Sequence, residues 1–199
     1  MVLTYIDMFC ILYIINQLVM EHNYLSDWNT LDEYLSTGLS MPEVSNKVRY
    51  PRSVACIILD SLYDILSGVD RYVVCGSYRR GKSIISDIDI VVITDDFDRL
   101  SEHRDCLWSG SSKVSFCVMG VQVDFRLATE DTWVTMALYF TGSREENIRL
   151  RGIAKYRGWK LNEYGLWDGR DDNANRIRCD SEQDIYGALG LVYVAPSGR

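Results

Sequence analysis

Two aspartates separated by one residue, Asp87 and Asp89, are the strongest candidates for chemistry in this chain. Alternate side chains of an extended strand share a face, so both carboxylates point the same way while the apolar residues between and after them point into a core. Two like charges this close need a compensating cation. Hard oxygen ligands, with substrate phosphates completing the coordination shell, favour Mg²⁺ over softer metals. The sequence therefore predicts a magnesium site on a strand.

A glycine turn and a basic loop precede these aspartates. Gly76 and Gly81 let the backbone turn tightly and come close to a ligand, and Ser77 offers a hydroxyl group. Three basic side chains supply positive charge: Arg79, Arg80 and Lys82. A short Asp-x-Asp motif alone is more typical of an acidic surface strand, because short motifs match by chance. The whole stretch instead predicts a triphosphate-binding loop beside the metal site.

A β-hairpin is predicted between Lys113 and Leu127. Apolar residues alternate along both arms, and Met119-Gly120 can form the tight turn between them. Asp124 then lies on the polar face of the second arm, between Gln122 and Arg126. Taken alone, an aspartate on the polar side of a hairpin is typical of solvated surface, but together with the motif of Asp87 and Asp89 we take Asp124 as the candidate for a third carboxylate.

Capping and turn residues predict the main helices. Pro51 near the first turn and Gly68 just past the last bound an amphipathic helix over residues 52–66. Ser143 followed by Glu146 predicts a capping box and a helix that runs to about residue 158. Ser181 with Asp184 predicts a second cap of the same kind.

One stripe of the helix that begins at Ser143 carries Asn147, Arg151 and Lys155, each one turn from the next. Taken alone, such a stripe is typical of a solvated helix face. Its meaning depends on the segments around it.

Several of these segments resemble one known family. Gly-Ser-Tyr-Arg-Arg-Gly at 76–81 followed by Asp-Ile-Asp-Ile at 87–90 resembles the metal-binding palm motif of family X DNA polymerases, the DNA polymerase beta group of the nucleotidyltransferase superfamily. Val-Asp-Phe-Arg at 123–126 resembles the strand that carries the family's third catalytic aspartate. Tyr-Phe-Thr-Gly-Ser at 139–143, with the later Asn147 and Arg151, is similar to its nucleotide-selecting segment. The resemblance covers residues 49–196.

The resemblance implies an α/β (α+β) fold. We expect a nucleotidyltransferase palm with a mixed or antiparallel sheet and flanking helices over residues 51–130. A small α/β C-terminal subdomain that selects the nucleotide is expected over residues 131–199. Residues 1–50 are expected to form a helical N-terminal region.

The resemblance also implies residue roles. Asp87, Asp89 and Asp124 would be catalytic and hold two Mg²⁺ ions, for which Mn²⁺ can substitute. The implied nucleotide-binding residues are Arg52, Gly76, Ser77, Arg80, Gly81, Tyr139, Phe140, Gly142 and Asn147. Among these, Tyr139 and Phe140 would crowd a ribose 2′-hydroxyl, and Asn147 would contact the base. Arg126, Arg151 and Lys155 would bind DNA.

Composition agrees with a globular intracellular enzyme. The chain has 199 residues, 47% of them hydrophobic, enough for one core or two subdomains that share a cleft. Its six cysteines form no Cys-x-x-Cys pair and are expected to be reduced, as in a nuclear, cytoplasmic or viral protein. The net charge of −7 is unusual for a nucleic-acid binder, but residues 1–47 contribute six acids and one base, and bases cluster over residues 144–160. We expect a monomer that binds dNTPs and gapped or primer-template DNA with strongly salt-dependent affinity.

The first 50 residues lack a recognisable motif. Residues 3–20 are apolar nearly all round, which suits either a buried helix or a membrane segment. Asp7 within the span and acidic flanks favour the buried helix over a membrane anchor. Lys47 is the only lysine before the palm, so we expect none of the lyase activity that larger family members carry.

The expected function is DNA-directed DNA synthesis that adds a dNMP to a primer 3′-hydroxyl by two-metal phosphoryl transfer, in gap-filling DNA repair. Two alternatives stay open. One is a template-independent nucleotidyltransferase that acts on DNA ends, RNA ends or a small molecule, against which the pair Asn147 and Arg151 argues. The other is a nucleic-acid-binding module on an inactive palm, against which the intact aspartates argue.

Overall fold

The computed structural model describes residues 48–103, 105–171 and 173–199. The strands are β1 Tyr50–Pro51, β2 Arg71–Val74, β3 Ile84–Ile85, β4 Asp87–Ile93, β5 Cys106–Gly110, β6 Lys113–Val118, β7 Val121–Leu127, β8 Lys160–Asn162, β9 Gly165–Trp167 and β10 Arg176–Ile177. The α-helices are α1 Arg52–Ser61, α2 Tyr63–Leu66, α3 Gly76–Arg79, α4 Trp133–Thr141, α5 Arg144–Tyr156 and α6 Glu182–Ala188. The expectations for residues 1–47, a buried helix and no lyase activity at Lys47, lie outside the described residues.

A five-stranded mixed sheet forms the base of the fold. Its strand order is β2-β4-β7-β6-β5, in which β4 and β7 run parallel and the other neighbours run antiparallel. Ile88, Ile90 and Val92 are fully buried on one face of β4, against apolar residues of α1 such as Ile58. The mixed α/β architecture and the strand alternation predicted from the sequence are both confirmed.

The predicted hairpin is formed by β6 and β7. Lys113 pairs with Arg126 at the open end, and Val118 pairs with Val121 beside the turn. Met119 and Gly120 have φ values of 53° and 79°. A two-residue hairpin turn of type I′ needs positive φ at both central residues, so the turn chemistry fixes the register that directs Asp124 to the polar face.

The helix predicted over residues 52–66 is interrupted. It consists of α1 and α2, which meet at Leu62 with φ −94° and ψ 9°. The hydroxyl of Ser61 donates a hydrogen bond of 2.7 Å to the Ile58 carbonyl, one turn back. A serine that bonds back in this way competes with the helical hydrogen bonds and bends the chain.

Helix α4 connects two groups of buried side chains. Trp133 and Met136 pack with Val91 of the central sheet. Leu138 packs with the second group, which is formed by the C-terminal elements around Leu150 of α5. Because residues 48–199 form one compact unit, the division at residues 130 and 131 stays a prediction.

The two predicted helix caps differ. The Ser181 hydroxyl and the Asp184 carboxylate form a complete capping box at the start of α6. At the start of α5, the Ser143 hydroxyl accepts a hydrogen bond of 3.3 Å from the Glu146 backbone N–H. The Glu146 carboxylate instead binds Arg149 and Tyr186, so this cap is a single hydrogen bond and the predicted box is wrong.

Two general expectations can be compared with the described residues. Within them, no helix has the length and apolar character needed to cross a membrane. The five cysteines of residues 48–199 are free thiols, which agrees with the expected reduced state: Cys56, Cys75, Cys106, Cys117 and Cys179.

Candidate active site

A cleft of about 470 Å³ lies at the start of β4. Asp87 and Asp89, at the first and third positions of this strand, both line it. Asp124 is the Cα partner of Asp89 across the parallel pair of β4 and β7. The full set of lining residues is Gly76, Ser77, Arg80, Ser86, Asp87, Asp89, Tyr139, Phe140, Gly142, Arg144, Asn147 and Arg151.

The Asp124 carboxylate is held by four side chains. One oxygen accepts hydrogen bonds from Ser115 at 2.7 Å and Gln122 at 2.9 Å. The other lies 2.8 Å from the Lys113 ammonium and 3.4 Å from the Arg126 guanidinium. Burial acts to raise the pKa of Asp124, but the hydrogen bonds from Gln122, Lys113 and Ser115 outweigh it and lower that pKa below its ordinary value. Asp124 is therefore ionised at neutral pH.

The structure places Asp124 beside the cleft rather than in its lining. Among residues 48–103, 105–171 and 173–199, no three His, Cys, Asp or Glu side chains are gathered closely enough to hold a metal ion. Lys113 supplies the positive charge that compensates the third carboxylate in this arrangement. The two cleft aspartates nevertheless present the hard oxygen donors that Mg²⁺ prefers.

The loop that precedes β4 presents polar groups to the same cleft. Gly76 has φ 60°, and a Cβ atom there would lie 3.0 Å from an Asp89 carboxylate oxygen, so glycine is needed for this close approach. The Ser77 hydroxyl and Arg80 Nε are buried and have no hydrogen-bond partner among the described residues. Buried polar groups normally have partners, so these two atoms fit an anionic ligand such as a phosphate.

The opposite wall comes from α4 and α5. The rings of Tyr139 and Phe140 meet edge to face, with centroids 5.1 Å apart. Asn147 donates a hydrogen bond of 2.7 Å to the Tyr139 carbonyl, and the Arg151 guanidinium lies 5.7 Å from the centre of the Tyr139 ring. Gly142 has φ 68°, and a Cβ atom there would lie 3.2 Å from an Arg80 nitrogen. Arg80 donates to the Thr141 carbonyl and so joins this wall to the loop.

Besides Asp124, four predicted site residues do not line the cleft. The Arg52 guanidinium lies 3.8 Å from the centre of the Tyr78 ring and donates to the Tyr78 carbonyl. Arg126 lies over the Phe140 ring at 4.9 Å, besides its contact with Asp124. Gly81 and Lys155 are exposed at the surface.

Sequence reasoning missed several residues at or beside the cleft. Ser86 and Arg144 line it, and both could have been found because they adjoin Asp87 and the Ser143 cap. Arg79 of the basic loop pairs with the buried Glu182, which no local pattern indicates.

Family models and sequence relatives match most of residues 51–199. The family model described as DNA polymerase beta palm matches residues 51–146, and that described as DNA polymerase beta thumb matches residues 136–199. The DNA polymerase/3′-5′ exonuclease PolX of Bacillus subtilis is 30% identical over 164 residues, which cover 76% of this chain and 28% of that protein. The Repair DNA polymerase X of African swine fever virus is 28% identical over 142 residues, 64% of this chain and 80% of the viral one. The DNA polymerase lambda of Arabidopsis thaliana is 27% identical over 175 residues, 68% of this chain and 33% of that protein.

In this fold, a mixed sheet presents the paired carboxylates Asp87 and Asp89 to a cleft that Gly76 and Arg80 also line. The two family models overlap at residues 136–146 and together cover residues 51–199. The chain belongs to family X of the DNA polymerases, the DNA polymerase beta family.

Proposed function

We propose that this protein is a DNA-directed DNA polymerase that adds a dNMP to a primer 3′-hydroxyl while filling gaps during DNA repair. The main support is one cleft that combines paired carboxylates, buried phosphate-binding groups and an aromatic wall with a polar helix face beside it. A nucleoside triphosphate has three matching parts: a metal-binding phosphate chain, a sugar and a base. The match covers 80% of the viral relative, and that protein is named a repair DNA polymerase.

The donor set fits Mg²⁺. Asp87 and Asp89 would hold it, and it would supply charge stabilisation for the transferred phosphoryl group and a lower pKa for the primer hydroxyl. Asp124 forms an ion pair with Lys113. It could therefore help to hold a second ion only if that ion replaced the Lys113 ammonium. Mn²⁺ has similar ligand preferences and is expected to substitute.

The protein's own side chains would position the nucleotide. Ser77 and Arg80 bind phosphate oxygens with atoms that have no other hydrogen-bond partner among the described residues. This holds the leaving pyrophosphate and stabilises the charge that builds on it. Tyr139 and Phe140 lie against the sugar and exclude a 2′-hydroxyl. The two rings pack edge to face, so neither can move aside without displacing the other.

Asn147 and Arg151 would read the nascent base pair. Both line the cleft on the same face of α5, one turn apart. Arg151 is exposed and donates to the Asn147 carbonyl, which directs its guanidinium along the helix toward the cleft. Contacts on this side of the nucleotide favour templated addition over addition to single-stranded ends.

The test is single-nucleotide incorporation on a short gapped duplex with Mg²⁺, with each of the four dNTPs opposite one templating base. We expect the complementary dNTP to be strongly preferred, and activity to be lost in Asp87→Asn. Asp95→Asn, an exposed aspartate just beyond β4, is the matched control and should retain wild-type activity. Equal use of all four dNTPs would favour a template-independent enzyme, and full activity of Asp87→Asn would exclude the assigned site.

The setting of the reaction belongs to the same proposal. Free thiols across residues 48–199 support a reducing, intracellular location. The chain is proposed to act as a monomer on gapped or primer-template DNA.

A further inference from the structure

A row of paired residues crosses the central sheet from the catalytic strand to its edge. Asp89 of β4 is the partner of Asp124 of β7, Asp124 is the partner of Ser115 of β6, and Ser115 is the partner of Trp108 of β5. Directly paired residues project from the same face of a sheet. The face that carries the carboxylates therefore ends in an indole. Two strand spacings separate Trp108 from Asp124, roughly 10 Å.

Trp108 is unusually placed for a residue of its type. It is 54% exposed on an edge strand, where large apolar side chains invite association and are normally avoided. Its ring lies against Gly110, where a Cβ atom would be only 2.7 Å from the indole. The Lys113 ammonium is 5.8 Å from the centre of the ring. The result is an accessible aromatic surface with a cation beside it.

The direction of approach identifies what this surface fits. Helix α4, which carries Tyr139 of the nucleotide wall, packs with Val73 of β2 and Val91 of β4, on the side of the sheet away from β5. A DNA strand whose 3′ end reaches Asp124, the carboxylate nearest β5, must then come from the side of β5. At about 3.4 Å of rise per nucleotide, roughly 10 Å corresponds to about three nucleotides.

We propose that Trp108, seated on Gly110 and flanked by Lys113, binds the primer strand about three nucleotides from its 3′ end. The inference rests on the proposed polymerase function. The indole ring contacts the apolar face of a deoxyribose, while its N–H and the Lys113 ammonium donate to a phosphate oxygen. Such contacts position the primer without reading its sequence.

The experiment measures the dissociation constant for a labelled gapped duplex by fluorescence anisotropy, with kcat and dNTP KM measured at saturating DNA. Trp108→Ala should weaken DNA binding about tenfold, within the range known for aromatic contacts to nucleic acid. The kcat and dNTP KM should stay unchanged, because the nucleotide wall is untouched. Tyr63→Ala removes an exposed ring from α2, whose Leu66 packs on the other face of the sheet, and this variant should bind DNA as the wild type does.

A second variant moves the indole without deleting it. Gly110→Ala places a methyl group where the ring lies, so it should weaken DNA binding in the same direction. The double variant Trp108→Ala/Gly110→Ala should bind no more weakly than Trp108→Ala alone, because the ring that the methyl group displaces is gone. If the losses of DNA affinity from the two substitutions add, the indole does not rest on Gly110 and the proposal is contradicted.

Leaving out the upstream primer shows which DNA strand Trp108 contacts. On the same template without the upstream primer, wild type and Trp108→Ala should bind equally, and a tenfold difference there would assign the indole to the template and overturn the proposal. A wild-type dimer that Trp108→Ala dissociates in sedimentation would show that a second copy covers the edge strand, which also overturns it. If the wild type binds gapped DNA but incorporates nothing, the polymerase function fails while the binding comparison still stands. If the wild type incorporates normally and Trp108→Ala binds unchanged, only the Trp108 proposal fails.

Discussion

The buried hydroxyl of Tyr186 makes a sharp test of how α5 is held in place. Tyr186 has no exposed surface, and its hydroxyl donates a hydrogen bond of 2.7 Å to the Glu146 carboxylate. Tyr186→Phe deletes this bond and leaves the ring packing unchanged. A hydrogen bond to a charged group contributes about 1.5–3 kcal/mol. Since Arg149 continues to bind Glu146 through two bonds of 2.8 and 2.6 Å, we expect a loss at the lower end, about 1–2 kcal/mol.

Urea unfolding at pH 7 measures this loss as a lower midpoint with an unchanged slope. Tyr156→Phe is the control, because Tyr156 is 93% exposed and its hydroxyl should contribute less than about 0.5 kcal/mol. Urea unfolding at acid pH gives a second test of the same hydrogen bond. The bond from Arg149, opposed by burial and helped by Tyr186, lowers the pKa of Glu146.

A carboxylate with a lowered pKa in the folded state stabilises the fold above its unfolded pKa, and this contribution is lost as the pH falls through the folded value. The difference in unfolding free energy between wild type and Tyr186→Phe should therefore have its full value at pH 7 and become smaller below about pH 4. A loss under about 0.5 kcal/mol at pH 7 would refute the reasoning. So would a loss that is the same at pH 7 and pH 3.

Three further outcomes are expected. Asp89→Asn should fold normally, as judged by its thermal midpoint, yet incorporate nucleotides about a thousandfold more slowly or worse, and retention of more than about a tenth of the activity would show that Asp89 is not a ligand. Lys113→Met should raise the pKa of Asp124 and destabilise the protein by about 1–3 kcal/mol at pH 7 in urea unfolding, with a difference from wild type that shrinks in acid; a variant of unchanged stability would mean that the 2.8 Å contact contributes nothing. Opposite thymine, dATP should be used far more efficiently than ATP, and equal efficiency in competition would mean that Tyr139 and Phe140 form no steric wall.

Features that depend on neighbours in the chain were predictable. The alternation in β4 determined that Asp87 and Asp89 share a face, since successive side chains of a strand point to opposite sides. The Met119-Gly120 turn determined the register of the hairpin and with it the position of Asp124. The Ser181 cap determined where α6 begins.

Side-chain partners across the fold were not predictable in the same way. The sequence indicated that Glu146 would close a cap three residues away, but its carboxylate binds Tyr186, 40 residues along the chain. Arg52, expected to reach a triphosphate, lies against Tyr78. In each case a polar group has several acceptable partners, and local sequence does not rank them.

By itself, then, the sequence determined the strands, the turn and the carboxylates, because the forces that set them act within a few residues. Only the tertiary structure decided that Asp124 is held by Lys113, that Arg79 pairs with Glu182, and that Trp108 ends the catalytic face. The physical reason is that an ion pair or hydrogen bond forms with whichever group the packing of separate elements brings within about 3 Å. That packing follows from the burial of apolar surface, which is non-directional and leaves no local mark on the polar residues it brings together.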